Sequence, residues 1–567
     1  MADIESLPYR IRIGVTGHRK LDDPGQVRAM VAKALATEID GLFPQKSRGE
    51  IERIRRDGRT PICFKILSPL ADGADRIVAE AVLADPMARL DAVLPLAVED
   101  YLETFESDQS RAEFLEMLKL SRRPILLRAR RLSEERHDTD GQTELRHQAY
   151  VQVGQYVVDH CDVLIAIWDG EPARGVGGTA DVVQYAIEQR RPIIRIWGDS
   201  IGVLNKGKNN GLDASALEAI DHFNRGPIAA AEATKYVRNL DLSYFEKPET
   251  AKGIPATTRE LVNLRLFPYY AIASTVAKEN QNRFHRAGKY VYVFSAAAVG
   301  CAAVGVLVPT LGWEGFTLEL AILMVMWFTL WQAHRTHAQQ NWIEYRFLAE
   351  RLRCGVFMAI CGVEPKPFEV LPYLGHSQTV NDWTVRAFDE IWDRLPPLTG
   401  CTKSECLMLN PYLREAWIGD QVEFHRKKVR LEGKARERLA HAGEIILPTT
   451  IVAAFLHILL ARWNPTQTTP PTLLFHLHEV VHKGLSFMAL LFPAIAASLA
   501  GMESHREHLR LEKSSANMAA QLERVQRQMK PATDPERFEA LIHQATEIML
   551  GETQSWLMLM RFVEIKA

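Results

Sequence analysis

A glycine-rich loop contains the residue types that hold a phosphate group. It follows the apolar run "DVLIAIW" and reads "GVGGTAD" over residues 175–181. Glycines let backbone N–H groups approach an anion without a side chain in the way. A helix that begins near the threonine would point its positive end at the same place. The threonine hydroxyl can donate to a phosphate oxygen, and the aspartate can accept from a ribose hydroxyl. The candidate ligand-binding residues here are Gly175, Gly177, Gly178, Thr179 and Asp181.

A second loop strengthens this interpretation, because the first loop alone is explained equally well as a turn capped by threonine. The segment "GVTGHR" follows an apolar run near the N-terminus. Its arginine can bind a phosphate through two parallel hydrogen bonds, whereas a lone histidine is more often an ordinary surface residue. The candidates in this loop are Gly14, Thr16, Gly17, His18 and Arg19.

Acidic residues and glycines follow two of the apolar runs. Asp72, Gly73 and Asp75 lie in "ADGADR", and Asp169 and Gly170 come directly after "DVLIAIW". An aspartate at the start of a helix is more often a cap than a ligand contact, so both roles stay open for Asp75. We include all five among the candidate ligand-binding residues.

The strands and helices that position these loops are visible as alternating patterns. Short runs rich in Ile, Val and Leu predict strands at 9–17, 61–70, 90–96, 124–128, 162–170 and 191–197. Amphipathic segments predict helices at 29–39, 73–84, 105–120, 145–158 and 180–189. The alternation predicts an α/β domain with a mostly parallel sheet covered on both faces. Because ligands bind beyond the carboxyl ends of such strands, we expect the three glycine-bearing loops at one edge of the sheet.

The composition argues against several classes of partner. A chain of 567 residues predicts several domains. Its formal net charge of −2 disfavours a nucleic-acid polymer as partner, since such binders carry a basic excess. The seven cysteines form no CxxC pair, which disfavours zinc and favours reduced thiols. The N-terminus lacks the features of a secretory signal. We therefore predict a cytosolic first domain, with no metal ligand and no cofactor.

The second half of the chain is apolar enough to enter a bilayer. After a polar stretch at 198–270, which predicts irregular structure, come four segments close to the ~20 residues that span a membrane. They are 289–311, 316–331, 445–461 and 485–502. Four helices buried in a soluble core are the alternative, because Pro448 and Pro493 weaken the last two segments as spans.

The basic residues that flank the spans predict their orientation. Arg283, Arg286 and Lys289 precede the first span and 332–443 is rich in Arg and Lys, whereas the two short loops between paired spans carry no basic residue. Basic loops stay in the cytosol. The sequence predicts a multi-pass protein of the inner (cytoplasmic) membrane with both termini cytosolic.

The order of elements around the spans repeats. A basic segment, "NQNRFHRAGKY" or "QVEFHRKKVR", precedes each pair of spans, and a charged amphipathic segment follows each pair. This order predicts an all-α membrane region with four transmembrane helices in two hairpin repeats. Small residues at four-residue spacing in the first and fourth spans permit close helix contacts in lipid. Such contacts suit an assembled pore, and they suit packing within one chain equally well.

Four motifs of the first domain resemble the SLOG superfamily of Rossmann-like nucleotide-binding proteins. They are "GVTGHR", "SPLADGADRIVAEAV", "LPLAVEDYLETF" and "LIAIWDGEPARGVGGTADVV", in this order over residues 8–200. The superfamily includes the lonely-guy phosphoribohydrolases, which have a catalytic glutamate where this chain has Asp181. The Pro-Gly that precedes the loop in those enzymes is missing here. The resemblance implies an α/β Rossmann-like parallel sheet that binds a nucleotide, with no catalytic residue unless Asp181 acts as an acid.

The membrane half resembles the SLATT family, whose two-span modules accompany SLOG domains in bacterial conflict systems. The segment "WIEYRFLAERLR" carries the match. The resemblance implies a SLOG-like domain at 1–245, two-span modules at 246–360 and 415–530, a cytosolic linker at 361–414 and a helical tail at 531–567.

The two resemblances together imply an effector of antiphage defence, as in CBASS-like and Thoeris-like systems. A nucleotide-derived messenger from an upstream synthase would bind the SLOG-like domain, and a homo-oligomer of the SLATT-like part would disrupt membrane lipids or form a pore. The alternative is a membrane-anchored nucleosidase, phosphoribohydrolase or NAD hydrolase with Asp181 as its acid. A passive anchor that recruits a protein is a third reading.

Overall fold

The chain forms two compact units in the computed structural model. One unit comprises Met1–Ala229 with Pro367–Pro397, and the other comprises Ala230–Lys366 with Leu398–Ala567. The first unit therefore includes a segment from much later in the chain. The residues that the structure describes are 4–128, 139–172, 177–206, 212, 214–226, 230–365, 382–398, 400–462, 473–506 and 508–561.

A seven-stranded sheet forms the centre of the first unit. Its strands are β1 (Tyr9–Gly17), β2 (Ile62–Ser68), β3 (Arg89–Leu94), β4 (Ile125–Leu126), β5 (Val163–Ile167), β6 (Ile193–Trp197) and β7 (Ser200–Asn205). Their order is β4-β3-β2-β1-β5-β6-β7. All neighbouring pairs are parallel except β6 and β7, which are antiparallel. The predicted mostly parallel α/β sheet is confirmed, and each predicted strand overlaps one of the first six.

Helices connect these strands and pack on the sheet. They are α1 (Pro24–Gly41), α2 (Gln45–Asp57), α3 (Ala74–Leu83), α4 (Val98–Leu102), α5 (Asp108–Leu120), α6 (Thr139–His160), α7 (Thr179–Glu188) and α8 (Ser215–Asn224). Local sequence explains their ends. Asp23 caps α1 and Ser107 caps α5, each through a hydrogen bond from a backbone N–H.

The prediction of irregular structure at 198–270 is wrong. The described part of this stretch contains β7, α8, two further α-helices, α9 (Ala230–Asp241) and α10 (Ala256–Arg265), and between them a π-helix at Leu242–Glu246 and a 3-10 helix at Glu249–Gly253. Polarity misled the prediction, because α8 buries one face through Leu217, Ile220 and Phe223 at helical spacing and exposes the rest.

The strand order reverses at β1. From β1 the chain proceeds to β2, β3 and β4 on one side, and it then returns to the other side for β5 and β6. The whole of β5 is buried, as expected of a short apolar strand covered on both faces. The position between β1 and β5 is the point where sheets of this kind open a crevice.

The second unit begins with α9 and α10 and continues into long helices. These are α11 (Phe267–Leu307), α12 (Gly312–Arg335) and α13 (Ala338–Ile360). With 41 residues, α11 is one continuous helix through both the charged segment before the first predicted span and the span itself.

After α13 the chain enters the first unit and forms α14 (Trp383–Trp392) there. Asp382 caps α14 by accepting from the Thr384 N–H. The sequence-based division assigns 361–414 to a linker, whereas the structure places 382–397 in the first unit.

Acidic residues of α14 and its C-terminal turn face a row of cations on the sheet. Arg12, Lys65 and Arg89 are neighbours in register on β1, β2 and β3. A carboxylate oxygen of Asp389 lies 3.2 Å from the Arg12 guanidinium, and one of Asp393 lies 3.4 Å from the Lys65 ammonium. Charges buried in a sheet require such partners, so α14 completes the first unit.

A buried ion pair adds to this attachment. Nη1 of Arg386 lies 2.9 Å from Oδ2 of Asp162 and donates to the Arg10 carbonyl at 3.0 Å. The Arg12 N–H donates to the same carboxylate at 2.8 Å. Burial acts to raise the pKa of Asp162, but Arg386 and Arg12 outweigh it and hold that pKa below its ordinary value.

The chain then returns to the second unit. The remaining helices are α15 (Lys403–Tyr412), α16 (Asp420–Arg462), α17 (Leu473–Arg506), α18 (His508–Met529) and α19 (Pro535–Arg561), with a π-helix at Leu413–Gly419 before α16. Pro448 and Pro493 lie inside α16 and α17 without ending them.

Four helices of the second unit are long and apolar enough to cross a membrane. They are Phe267–Leu307, Trp313–Arg335, Lys403–Arg462 and His476–Met502, and each overlaps one predicted span. Only 22%, 6%, 6% and 11% of their most apolar windows are buried. Core helices of a soluble domain bury their apolar residues, so this exposure favours lipid-facing helices over the alternative of a soluble core.

Candidate functional site

A cavity of about 790 Å³ opens at the edge of the sheet where the strand order reverses. It lies beyond the carboxyl ends of β1, β5 and β6 and below the loop after β2. Parallel sheets hold their ligands at such positions. The predicted site residues that line it are Thr16, Gly17, His18, Arg19, Asp75, Asp169, Gly177, Gly178 and Thr179.

Other predicted site residues support the loops and do not line the cavity. Gly14 lies under α6, where a Cβ would come 2.8 Å from a Val157 methyl group. Asp72 lies 2.9 Å from the Arg76 guanidinium. Gly175 falls outside the described residues. Five predicted site residues are described by the structure but do not line the cavity: Gly14, Asp72, Gly73, Gly170 and Asp181.

Gly73 brings the loops after β1 and β2 into contact. Its φ is +80°, and a Cβ there would lie 2.2 Å from the Arg19 carbonyl oxygen. The next residue, Ala74, donates its N–H to the His18 carbonyl at 3.1 Å. Only glycine fits this close approach, so Gly73 allows the loop after β2 to support the backbone of Arg19.

The N-terminus of α7 forms one wall of the cavity. Thr179 is the first residue of the helix, and Gly178 precedes it. Gly177, at a φ of +73°, donates its N–H to Oδ2 of Asp181 at 3.0 Å. The first N–H groups of a helix have no partner within the helix and carry its positive partial charge. The backbone here suits an anion, while the Asp181 carboxylate holds the loop in place.

Cationic side chains also line the cavity. Arg19 and Lys20 extend from the end of β1, and the Arg19 guanidinium lies 5.8 Å from the centre of the Tyr150 ring. His18 lies deeper, with Nε2 3.1 Å from Oδ1 of Asp169. A guanidinium and an ammonium beside a helix N-terminus favour a phosphorylated ligand.

Aromatic rings lie beside the cations. Tyr150, Trp168 and Trp197 all line the cavity, and Trp197 is 41% exposed. Arg195 fixes Trp168 by donating to its carbonyl at 2.9 Å and by packing 5.5 Å from its ring centre. Gly170, at a φ of +97°, leaves room for the same guanidinium. Flat side chains of this kind stack on nucleobases.

Two buried polar groups form the floor of the cavity. Asp75 is 7% exposed, and burial raises its pKa to about 7 despite a hydrogen bond from the Ala71 N–H and the nearby charge of Arg19. The hydroxyl of Tyr101 is fully buried and has no hydrogen-bond partner among the described residues. Burial also raises the pKa of Tyr101. A protonated carboxyl and an unused hydroxyl can each donate a hydrogen bond to a bound ligand.

Sequence reasoning missed the aromatic residues and Tyr101. Trp168 ends the apolar run of β5 and Trp197 ends β6. Because ligands bind at the carboxyl ends of parallel strands, both residues could have been predicted as site residues. Tyr101 lies within the motif "LPLAVEDYLETF". Nothing in the sequence indicated that Tyr150, in the middle of α6, faces the same cavity.

Among the described residues, no group of three or more His, Cys, Asp or Glu side chains is placed to hold a metal ion. The cavity combines an anion-binding backbone, two cations, aromatic rings and buried donors. This set suits a ligand with both a phosphate and a planar ring.

No family model, no curated protein and no solved structure matches the chain.

Proposed function

We propose that this protein is a membrane effector of bacterial antiphage defence, gated by a nucleotide-derived messenger. The observation that carries the proposal is the cavity at the reversal of strand order, in a chain that also contains four helices able to cross a membrane. Binding of the messenger would stabilise one arrangement of the chain and so shift the spans. Ions or lipids would then leak through the membrane.

The SLOG-like, Rossmann-like assignment of the first unit is part of the proposal. It is supported by the central position of β1, with β2 on one side and β5 on the other. It is also supported by the meeting of all four quoted motifs at one cavity, through Arg19, Asp75, Tyr101 and Thr179.

The SLATT-like assignment of the second unit rests on the order of its helices. The pair α11 and α12 pack together and are followed by α13, and the pair α16 and α17 pack together and are followed by α18. This order supports two hairpin repeats, and the basic residues that flank the spans support cytosolic termini in the inner membrane. Assembly into a homo-oligomer would build the pore.

A hydrolase that uses the same cavity is the second candidate. The observation in its favour is Asp75, because a carboxyl with a pKa of about 7 can act as a general acid near neutral pH. Asp181 is the weaker acid candidate, since it accepts a hydrogen bond from its own loop. Hydrolysis of NAD or a nucleoside monophosphate that is lost in Asp75→Asn would favour this candidate. Binding without turnover would favour the sensor.

Calorimetric titration of the full-length protein in detergent tests the proposed sensor. Cyclic dinucleotides, cyclic trinucleotides and ADP-ribose are the ligands to compare. We expect one class to bind, and Arg19→Ala to weaken its binding about 10- to 100-fold through loss of charged hydrogen bonds. The full chain is needed, because a fragment that ends at residue 245 lacks α14.

Arg55→Ala is the matched control for this titration. Arg55 is an exposed arginine of the same unit that pairs with Asp40 and lies outside the cavity. Unchanged binding in Arg55→Ala with weakened binding in Arg19→Ala supports the cavity as the site. Equal affinities in both variants and the wild type would reject it.

A further inference from the structure

Three cysteines from separate positions in the chain meet in the second unit. They are Cys361, Cys401 and Cys406. The Cys401 thiol donates to the Cys361 carbonyl oxygen at 2.6 Å, and the thiols of Cys361 and Cys406 are close enough to shift the pKa of Cys401. All three are free thiols.

Two cysteines of the cluster, Cys361 and Cys401, flank the chain segment that contains α14. Cys361 follows the last residue of α13, and Cys401 precedes α15. The two ends of this segment are adjacent, because the Gly400 N–H donates to the Gly362 carbonyl at 3.0 Å. Between these points the chain runs through the first unit. A disulfide between Cys361 and Cys401 would close residues 362–400 into a covalent loop.

The three thiols differ in accessibility and acidity. Cys361 and Cys406 are buried, whereas Cys401 is partly exposed next to exposed residues on both sides. Hydrogen bonds from the Cys361 thiol, and secondarily from Cys406, lower the pKa of Cys401 despite its partial burial. Burial raises the pKa of Cys361 well above its ordinary value. A partly exposed thiol of lowered pKa beside a buried thiol is the arrangement of an attacking and a resolving cysteine.

We propose that this cluster is a thiol–disulfide exchange site, in which Cys401 reacts with a small-molecule disulfide and Cys361 resolves the product. The site goes beyond the proposed messenger cavity, because it lies in the other unit and takes a different class of reactant.

The exchange is balanced in two steps. The Cys401 thiolate attacks one sulfur of the small disulfide, so a new S–S bond forms and one small thiolate leaves and takes a proton. Cys361 then loses its proton and attacks the Cys401 sulfur, which forms the Cys361–Cys401 bond and releases the second small thiol. Two protein thiols are oxidised by two electrons, and the small disulfide is reduced to two thiols.

Mass spectrometry of the full-length protein in detergent tests this site, with glutathione disulfide as the probe. We expect the intact mass to fall by two hydrogens, and a proteolytic digest to contain a Cys361–Cys401 cross-link. Under reducing conditions we expect iodoacetamide to alkylate Cys401 at least about tenfold faster than the buried Cys354, because the thiolate is the nucleophile.

Three variants separate the roles of the cysteines. Cys401→Ser should abolish the cross-link, and Cys361→Ser should accumulate a glutathione adduct on Cys401. Cys354→Ser removes a buried thiol of α13 outside the cluster and should leave the cross-link unchanged.

The wild-type digest keeps the test decisive even where a variant fails to fold. Three thiols that remain fully alkylatable after excess glutathione disulfide would overturn the proposal. A Cys401–Cys406 cross-link in place of Cys361–Cys401 would overturn the assignment of the resolving cysteine. Neither result bears on nucleotide binding, which the calorimetric titration measures separately.

Discussion

At the scale of single residues, the most informative side chains are two buried polar groups that line the cavity, Asp75 and Tyr101. The Tyr101 hydroxyl has no hydrogen-bond partner among the described residues, and for Asp75 the cost of burial outweighs a hydrogen bond from the Ala71 N–H and the nearby arginines. Groups kept under such conditions are candidates for ligand contact. The two predictions at this scale follow from the free-energy cost of burying these two polar groups.

Asp75→Asn should stabilise the first unit at neutral pH. The folded protein holds the Asp75 proton up to about pH 7, whereas the unfolded chain releases it near the ordinary value of 3.8. The wild type therefore loses stability as pH rises from about 4 to 7, by at most about 4 kcal/mol, and the variant does not. Thermal unfolding across this pH range measures the difference. Asp108→Asn, at an exposed acid of α5, is the control, and parallel pH profiles for wild type and Asp75→Asn would contradict the raised pKa.

Tyr101→Phe should change stability and affinity in opposite directions. Removing a buried hydroxyl without a partner raises the free energy of unfolding by about 1 kcal/mol, because its desolvation cost disappears. Affinity for the messenger should fall about 3- to 10-fold if the ligand accepts from this hydroxyl. Denaturant unfolding and calorimetry on the same preparation test the pair of effects. A variant that is less stable than the wild type would show that the hydroxyl has a structural partner.

At the scale of secondary-structure elements, α14 is the feature with the largest expected energetic effect. Its Arg386 neutralises the buried Asp162 at the N-terminal end of β5. Its acidic residues neutralise the cations of β1 and β2. A helix so attached is part of the sheet domain.

Arg386→Leu should destabilise the first unit by about 3–5 kcal/mol, because it removes the ion-pair partner of the buried Asp162 carboxylate and leaves only the weaker influence of Arg12. Hydrogen exchange of the β1 and β5 amides should accelerate in this variant. Adding Asp162→Asn should recover part of the loss, since no uncompensated charge remains. Arg28→Leu breaks the exposed pair with Glu80 and should cost less than about 1 kcal/mol. An equal loss in Arg386→Leu and Arg28→Leu would contradict this account of α14.

The elements were predictable from sequence where a local pattern decides them. The strand 9–17 and the helix that begins at Thr179 follow from apolar runs and a glycine-rich start. The destination of α14 was not predictable, because an amphipathic helix does not encode which surface it covers. A hint was present in β1, where Arg10 and Arg12 alternate with isoleucines in a strand that is otherwise apolar, and buried arginines require acidic partners.

The site was predictable to the extent that loop position determines it. Arg19 and Thr179 follow strands that end at one edge, so their meeting follows from the parallel sheet. Gly14 and Asp181 were not separable from true wall residues, because glycine and aspartate also serve helix packing and loop bracing. Their roles here depend on the position of α6 and on the Gly177 N–H.

At the scale of the whole molecule, a single chain joins a polar cavity to exposed apolar helices. The 41 residues of α11 span roughly 60 Å, about twice the hydrocarbon thickness of a bilayer. One continuous helix therefore carries both a polar segment and a candidate span. The proposed function would use this continuity to couple the two segments.

Dye release from liposomes that contain the full-length protein tests the central claim most directly. The account predicts release only when the messenger identified by calorimetry is added, and markedly less release from Arg19→Ala at a concentration that just saturates the wild type. Arg55→Ala should release dye as the wild type does. Release of the same extent without any nucleotide, or an intact dye signal with saturating messenger bound to the wild type, would contradict the claim that the cavity controls the membrane helices.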